Sequence, residues 1–91
     1  MSTKHVDAND DRADLNLIRK TANVLGGEAR IGNRRIAVWM LVRDRQLGLT
    51  DEQIKSDYRP VLTDVELAAA WKYYEENREE IERAIRKNEK D

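Results

Sequence analysis

Five arginines, Arg30, Arg34, Arg35, Arg43 and Arg45, fall in the stretch 30–45, which holds a single acid, Asp44. A guanidinium group presents a planar fork of donors that matches phosphate and carboxylate oxygens, so the chemistry this stretch offers is anion binding. Three of the five crowd around the Gly32-Asn33 pair in "ARIGNRRIAV". They suit a turn kept wet by charge, a surface for an acidic protein, or a contact to a nucleic-acid backbone. Nothing comparable supports catalysis. The chain has one histidine, His5, and no cysteine. It also lacks a Gly-rich loop opening a helix and a carboxylate cluster outside a solvated helix, so no nucleophile–base pair can be drawn. We therefore expect no enzymatic activity, no cofactor and no bound metal.

A second set of cations lies after Asn77. In "REEIERAIRKNEK" Arg78, Arg83 and Arg86 are interleaved with an apolar stripe of Ile81, Ala84 and Ile85. Glu79–Arg83 and Glu82–Arg86 stand at the spacing that pairs charges along a helix. A lone helix of under about 15 residues is marginal in water, so the stripe should be covered by something, and a partner protein is the expected cover. The aromatic residues Trp39, Trp71, Tyr73 and Tyr74 read as core and rim packing rather than as a platform for stacked bases.

The charge balance limits the partners. With 17 basic and 18 acidic side chains the net charge is -1, which gives no overall attraction to nucleic acid or to an anionic membrane. Segment by segment the sums are -1 for 1–29, +4 for 30–45, -3 for 46–66 and -1 for 67–91. Basic character is thus confined to the hairpin region and the element after it. The N-terminus lacks the apolar core of a signal peptide, and no run approaches the ~20 apolar residues of a membrane span. Together with the missing cysteines this places the expected location in the cytoplasm. A chain of 91 residues suits one domain. It buries only about two-thirds of its unfolded surface, so its core is thin and a homodimer or another partner is expected to share it.

These groups have to be positioned by short elements. Residues 1–14, polar except for Val6, read as a flexible tail, with structure starting near Leu15. "LNLIRKT" fits a short strand or arm, Gly26-Gly27 permits unusual backbone angles, and Gly32-Asn33 between Ile31 and Ile36 reads as a hairpin turn. From Val38 the pattern becomes helical, with Val38, Trp39, Leu41, Val42 and Leu47 as the apolar face and Gly48 as the terminating glycine. Thr50 with Gln53 forms a capping box for a helix over 51–57 with Ile54 and Tyr58 inward, ended by Pro60. Thr63 with Glu66 opens a third helix, "DVELAAAWKYYEE", in which Leu67, Trp71 and Tyr74 recur. Asn77 either continues this helix or caps a separate one. The fold expected is mainly α: a small helix-turn-helix-like three-helix domain over 15–76 with a short N-terminal β-hairpin or arm, followed by a charged C-terminal helical extension over 77–91 for partner binding. "RDRQLGLTDEQI" carries the helix-turn-helix layout. Its second helix holds Asp51, Glu52 and Asp57 against Lys55, a local -2 that phosphates repel.

"IRKTANVLGGEARIGNRRIAVW", "LGLTDEQI", "DYRPVLT" and "AAWKYYEENREEIERAI", in that order and spacing, resemble the domain of unknown function 433 family of small bacterial proteins. The likeness runs from about Ile18 to Asn88. The resemblance implies a helix-turn-helix domain encoded beside a nuclease-like toxin of PIN-related fold, and hence an antitoxin of a type II pair. On that reading Arg78, Ile81, Arg83, Ile85 and Arg86 are the candidate toxin-binding residues. The alternative is a DNA-binding autorepressor on operator DNA through Arg30, Arg34, Arg35, Arg43 and Arg45.

Overall fold

The structure, a computed structural model, describes residues 17–89. The expected tail over 1–14, His5 within it and the start at Leu15 lie outside the described residues. Strand β1 (Ile18–Arg19) pairs antiparallel with β2 (Arg30–Ile31), Ile18 opposite Ile31 and Arg19 opposite Arg30. Four helices follow: α1 (Val38–Gln46), α2 (Asp51–Ser56), α3 (Asp64–Glu76) and α4 (Arg78–Glu89). The expected mainly helical fold with a short antiparallel strand pair is what forms.

The strand pairing differs in one respect from the sequence reading. Gly32-Asn33 does make a tight turn, with the Arg34 amide donating to the Ile31 carbonyl at 2.8 Å and Gly32 at φ +51°. Yet the returning segment forms only a single bridge, Arg30 to Ala37, and the ladder partner of β2 is β1. The reason is length: Ala37 is already the N-cap of α1, so no residues remain for a second strand. Ala37 has no side chain to cap with, and the Val38 amide instead donates to the Ala29 carbonyl at 2.9 Å, so the approach to β2 satisfies one of the orphan donors of α1.

Between the strands the chain makes a turn at Leu25–Gly27. Leu25, Gly26 and Gly27 all have positive φ, +52°, +65° and +81°. Glycine takes such angles without strain, whereas an L-residue in this region costs about 1–2 kcal/mol. Leu25 is therefore held there against its own preference.

Helix α1 buries Val38, Leu41 and Val42. It ends in a glycine reversal, Gly48 at φ +100° with the Leu49 amide reaching back to the Asp44 carbonyl at 3.2 Å. Leu47, expected on the apolar face, is 70% exposed. It falls about two and a half turns after Val38, hence on the opposite side of the helix. Both capping boxes form, Thr50 with Gln53 and Thr63 with Glu66, each through reciprocal side-chain and backbone bonds. Helix α2 ends at Ser56, one residue before the bound expected. Ile54 is fully buried and Tyr58 half-buried, its hydroxyl donating to Asp44 at 3.1 Å.

Asn77 separates α3 from α4 at φ -136°, ψ 43°, so the last segment is a separate helix. Helix α4 packs on α1, and Ile81 and Ile85 are 1% and 6% exposed within the same core as Ile31, Leu41, Ile54 and Leu62. The stripe expected to await a partner is covered by the domain itself. Ile81 and Ile85 are thus corrected from toxin anchors to core residues.

Ile81→Ala should lower unfolding free energy by about 2–5 kcal/mol, as large-to-small changes in a core do. Ile81→Asp should give a chain without helical circular dichroism. Chemical denaturation checks the first and far-ultraviolet spectra the second.

Candidate partner-binding surface

The arginines of the hairpin region are divided by the fold into internal and external sets. Arg30 is only 7% exposed, its guanidinium donating to Thr21 Oγ1 at 2.9 Å and to the Arg34 carbonyl at 3.1 Å. Its Nε is buried without a partner, and no carboxylate of the described residues pairs with it. Arg34 meets Glu66 through Nε at 3.2 Å and donates to the carbonyls of Pro60 and Val61. It ties the 32–35 turn to the segment entering α3. Both were candidates for DNA contact, and the structure places both guanidinium groups inside its own network, where a phosphate would have to displace existing partners. Arg35 is exposed and makes no hydrogen bond or ion pair among the described residues.

Arg43 and Arg45 stack on aromatic rings. The Arg43 guanidinium lies 5.2 Å from the Trp39 ring centroid and that of Arg45 4.6 Å from Trp71. Such contacts contribute about 0.5–1 kcal/mol at exposed sites and fix the side chains on the surface. The indole nitrogen of Trp71 and Nε of Arg43 are buried without hydrogen-bond partners among the described residues.

The α3–α4 junction is cross-linked by hydroxyl–carboxylate bonds. Tyr73 donates to Glu80 at 2.9 Å, and Glu80 also receives Lys20 at 3.0 Å, tying the end of the β1 arm to α4. The Glu80 hydrogen bond raises the Lys20 ammonium above its ordinary pKa, and burial, aided by Glu80, raises the Tyr73 phenol. Tyr74 donates to Glu82 at 2.7 Å, and Arg78 stacks on the Tyr74 ring at 4.7 Å while bonding its hydroxyl. The expected helix pairs Glu79–Arg83 and Glu82–Arg86 do not form. Glu82 is engaged by Tyr74, and Arg83, Arg86 and Lys87 are exposed cations without an ion pair among the described residues. Of the candidate toxin-binding residues, then, Ile81 and Ile85 are buried, Arg78 is held on Tyr74, and Arg83 and Arg86 face solvent.

The opposite end of the fold is acidic and apolar. Val61 and Val65 are 50% and 60% exposed, close in sequence to Asp64, whose carboxylate pairs with Lys55. Asp64 and Glu52 hold the Lys55 ammonium above its ordinary pKa. Sequence reasoning missed these valines, although a signal was there: Val65 lies about 200° around the helix from the buried Leu67. It also missed a groove of about 240 Å³ lined by Leu25, Gly26, Glu28, Trp39, Met40, Lys87 and Asn88, which no periodicity indicates because it joins three separate parts of the chain. Among the described residues no group of three histidine, cysteine or acidic side chains could hold a metal ion, and no helix is long and apolar enough to cross a membrane.

The profile of a family described as "Protein of unknown function (DUF433)" matches residues 18–74. The crystal structure of a DUF433 member from Anabaena variabilis is similar at 44% sequence identity and a TM-score of 0.74, over 90% of this chain and 82% of that one. No curated protein matches.

Tyr58 supplies a pH test of the α1–α2 contact. Burial first, then the Asp44 carboxylate, push its phenol from 10.0 up to about 12. The folded state therefore keeps the proton longer than the unfolded chain does, so this contribution to stability is complete below pH 10.0 and is lost as pH rises toward about 12. The fall of Tm across that window should be shallower in Tyr58→Phe than in the parent, as read by thermal melts at stepped pH.

Proposed function

This chain belongs to the DUF433 family, and we propose that it is a protein-binding module: the antitoxin of a type II pair, which neutralises a nuclease-like toxin by covering it. The observation that carries this reading is the state of α4. Its apolar stripe is seated in the core, which fixes the helix to the domain, while Arg83 and Arg86 stand exposed without an ion pair among the described residues. Cations presented from a rigid helix lose little freedom on pairing, and a metal-dependent nuclease gathers carboxylates at its centre. The toxin as partner comes from the family resemblance. Arg83 and Arg86 are candidates from the sequence, and their exposure supports that role.

Protein rather than DNA is favoured by charge. The second helix of the helix-turn-helix-like unit bears Asp51 and Glu52 at its start, and Arg30 and Arg34 are engaged internally. A DNA-binding autorepressor is the second reading, supported by Arg35, exposed and without an ion pair among the described residues, with Arg45 held on the Trp71 ring.

Co-expression with the product of the neighbouring gene, followed by chromatography with light scattering, should give a stoichiometric complex. Arg83→Glu with Arg86→Glu should abolish it while Tm stays within a few degrees of the parent, since exposed charges without partners contribute little to stability. A chain that elutes unchanged beside the toxin would overturn the antitoxin reading. For the second reading, a mobility shift on the upstream DNA should weaken in Arg35→Glu, and a shift indifferent to that change would remove the proposed contact.

A further inference from the structure

The β1 arm is tied to the fold by contacts that do not involve the loop following it. Ile18 and Arg19 pair with Ile31 and Arg30, the Gly32 amide donates to the Leu17 carbonyl at 2.6 Å, the Arg19 guanidinium reaches Asn33 Oδ1 at 3.5 Å, and Lys20 meets Glu80 at 3.0 Å. These partners all follow the loop in the chain. A second copy of the protein therefore presents the arm with the same set of groups.

The loop itself, residues 21–28, is where the closed fold is strained. Asn23 and Leu25 stand at φ +69° and +52°, and Gly26 and Gly27 at +65° and +81°. The turn is held by three backbone bonds, from the Val24 amide to the Thr21 carbonyl at 3.0 Å, from Gly27 to Val24 at 2.9 Å and from Glu28 to Leu25 at 3.2 Å. Water replaces such bonds at small net cost when a surface turn opens. What opening gives up beyond them is the half-buried packing of Val24 and Leu25. Straightened, eight residues span up to about 27 Å and need no positive φ. A short hinge under strain, joining an element whose contacts lie elsewhere, is the arrangement that favours exchange of that element between copies.

We propose that the β1 arm exchanges between two copies of this chain, the 21–28 loop straightening so that β1 of each copy pairs with β2 of the other in a closed two-fold dimer. The monomer holds in dilute solution and the exchanged dimer forms as concentration rises. The inference does not rest on the antitoxin reading. Its register is fixed by the strand pair already present. Because the Gly32 amide bonds the Leu17 carbonyl, while the Ile31 amide turns away to the Ile36 carbonyl at 2.9 Å, Ile18 and Ile31 form a non-hydrogen-bonded pair. Cα atoms in such a pair lie about 4.5 Å apart, a separation that a disulfide can bridge.

The chain has no cysteine, so Ile18→Cys and Ile31→Cys can be placed in separate full-length chains, which are unfolded, mixed and refolded at high concentration with an oxidant. A covalent dimer joining one chain of each kind, in preference to like pairs, is the expected product. The double variant refolded in dilute solution should close its disulfide within one chain, which shows that the strand pair survives the cysteines. Gly26→Ala gives a second measurement that needs no cysteine. A Cβ at Gly26 meets nothing within 4 Å, so the change acts through the backbone angle alone. It should disfavour the closed turn about fivefold or more in each chain, and, since two turns open per dimer, raise the association constant read by sedimentation about thirtyfold. A dimer that forms no mixed disulfide and whose constant is unchanged in Gly26→Ala is held by another face and overturns arm exchange. Chains that stay monomeric throughout, parent and Gly26→Ala alike, overturn it as well.

Discussion

The seating of α4 against α1 is the constraint on which the rest of this small fold depends. Val38, Leu41 and Val42 offer one apolar face, and Ile81, Ala84 and Ile85 meet it from a helix whose other positions are almost all charged. A domain of this length has little interior to spare, so the contact closes the core. It also removes the one apolar stripe of α4 from the surface. What α4 leaves at the surface is charge.

Around that contact the structure uses polar ties to hold its shorter pieces. Arg34 bonds the 32–35 turn to the carbonyls before α3 and to Glu66 at its start. Lys20 and Tyr73 converge on Glu80 and join the arm to both C-terminal helices. Arg30 lies buried with two hydrogen bonds and no counter-charge among the described residues. These ties explain why a stretch with a local charge of +4 presents so little of it outward. Two of its five cations are structural, two stack on tryptophan, and Arg35 makes no hydrogen bond or ion pair among the described residues.

The resulting surface is sided. Acidic groups at the starts of α2 and α3 accompany the exposed Val61 and Val65, while Arg83, Arg86 and Lys87 follow α4 toward the groove. Helix α4 carries Arg78, Arg83, Arg86 and Lys87 against Glu79, Glu80, Glu82 and Glu89, so its charges balance.

What the sequence determined by itself are the features set by local chemistry. The capping boxes at Thr50 and Thr63, the terminating Gly48 and the Gly32-Asn33 turn each depend on residues within a few positions of one another, and each forms where the residues place it. The helices and the family likeness follow from the same local record. Only the tertiary structure decided which arginines are engaged, because Glu66 and the carbonyls of Pro60 and Val61 that hold Arg34 come from a distant part of the chain, and Thr21, which holds Arg30, comes from across the Leu25–Gly27 turn. Likewise the stripe of Ile81 and Ile85 reads the same whether its cover is a partner or its own domain. That choice rests on α4 turning back at Asn77 onto α1, a long-range packing preference that no spacing within 77–91 encodes.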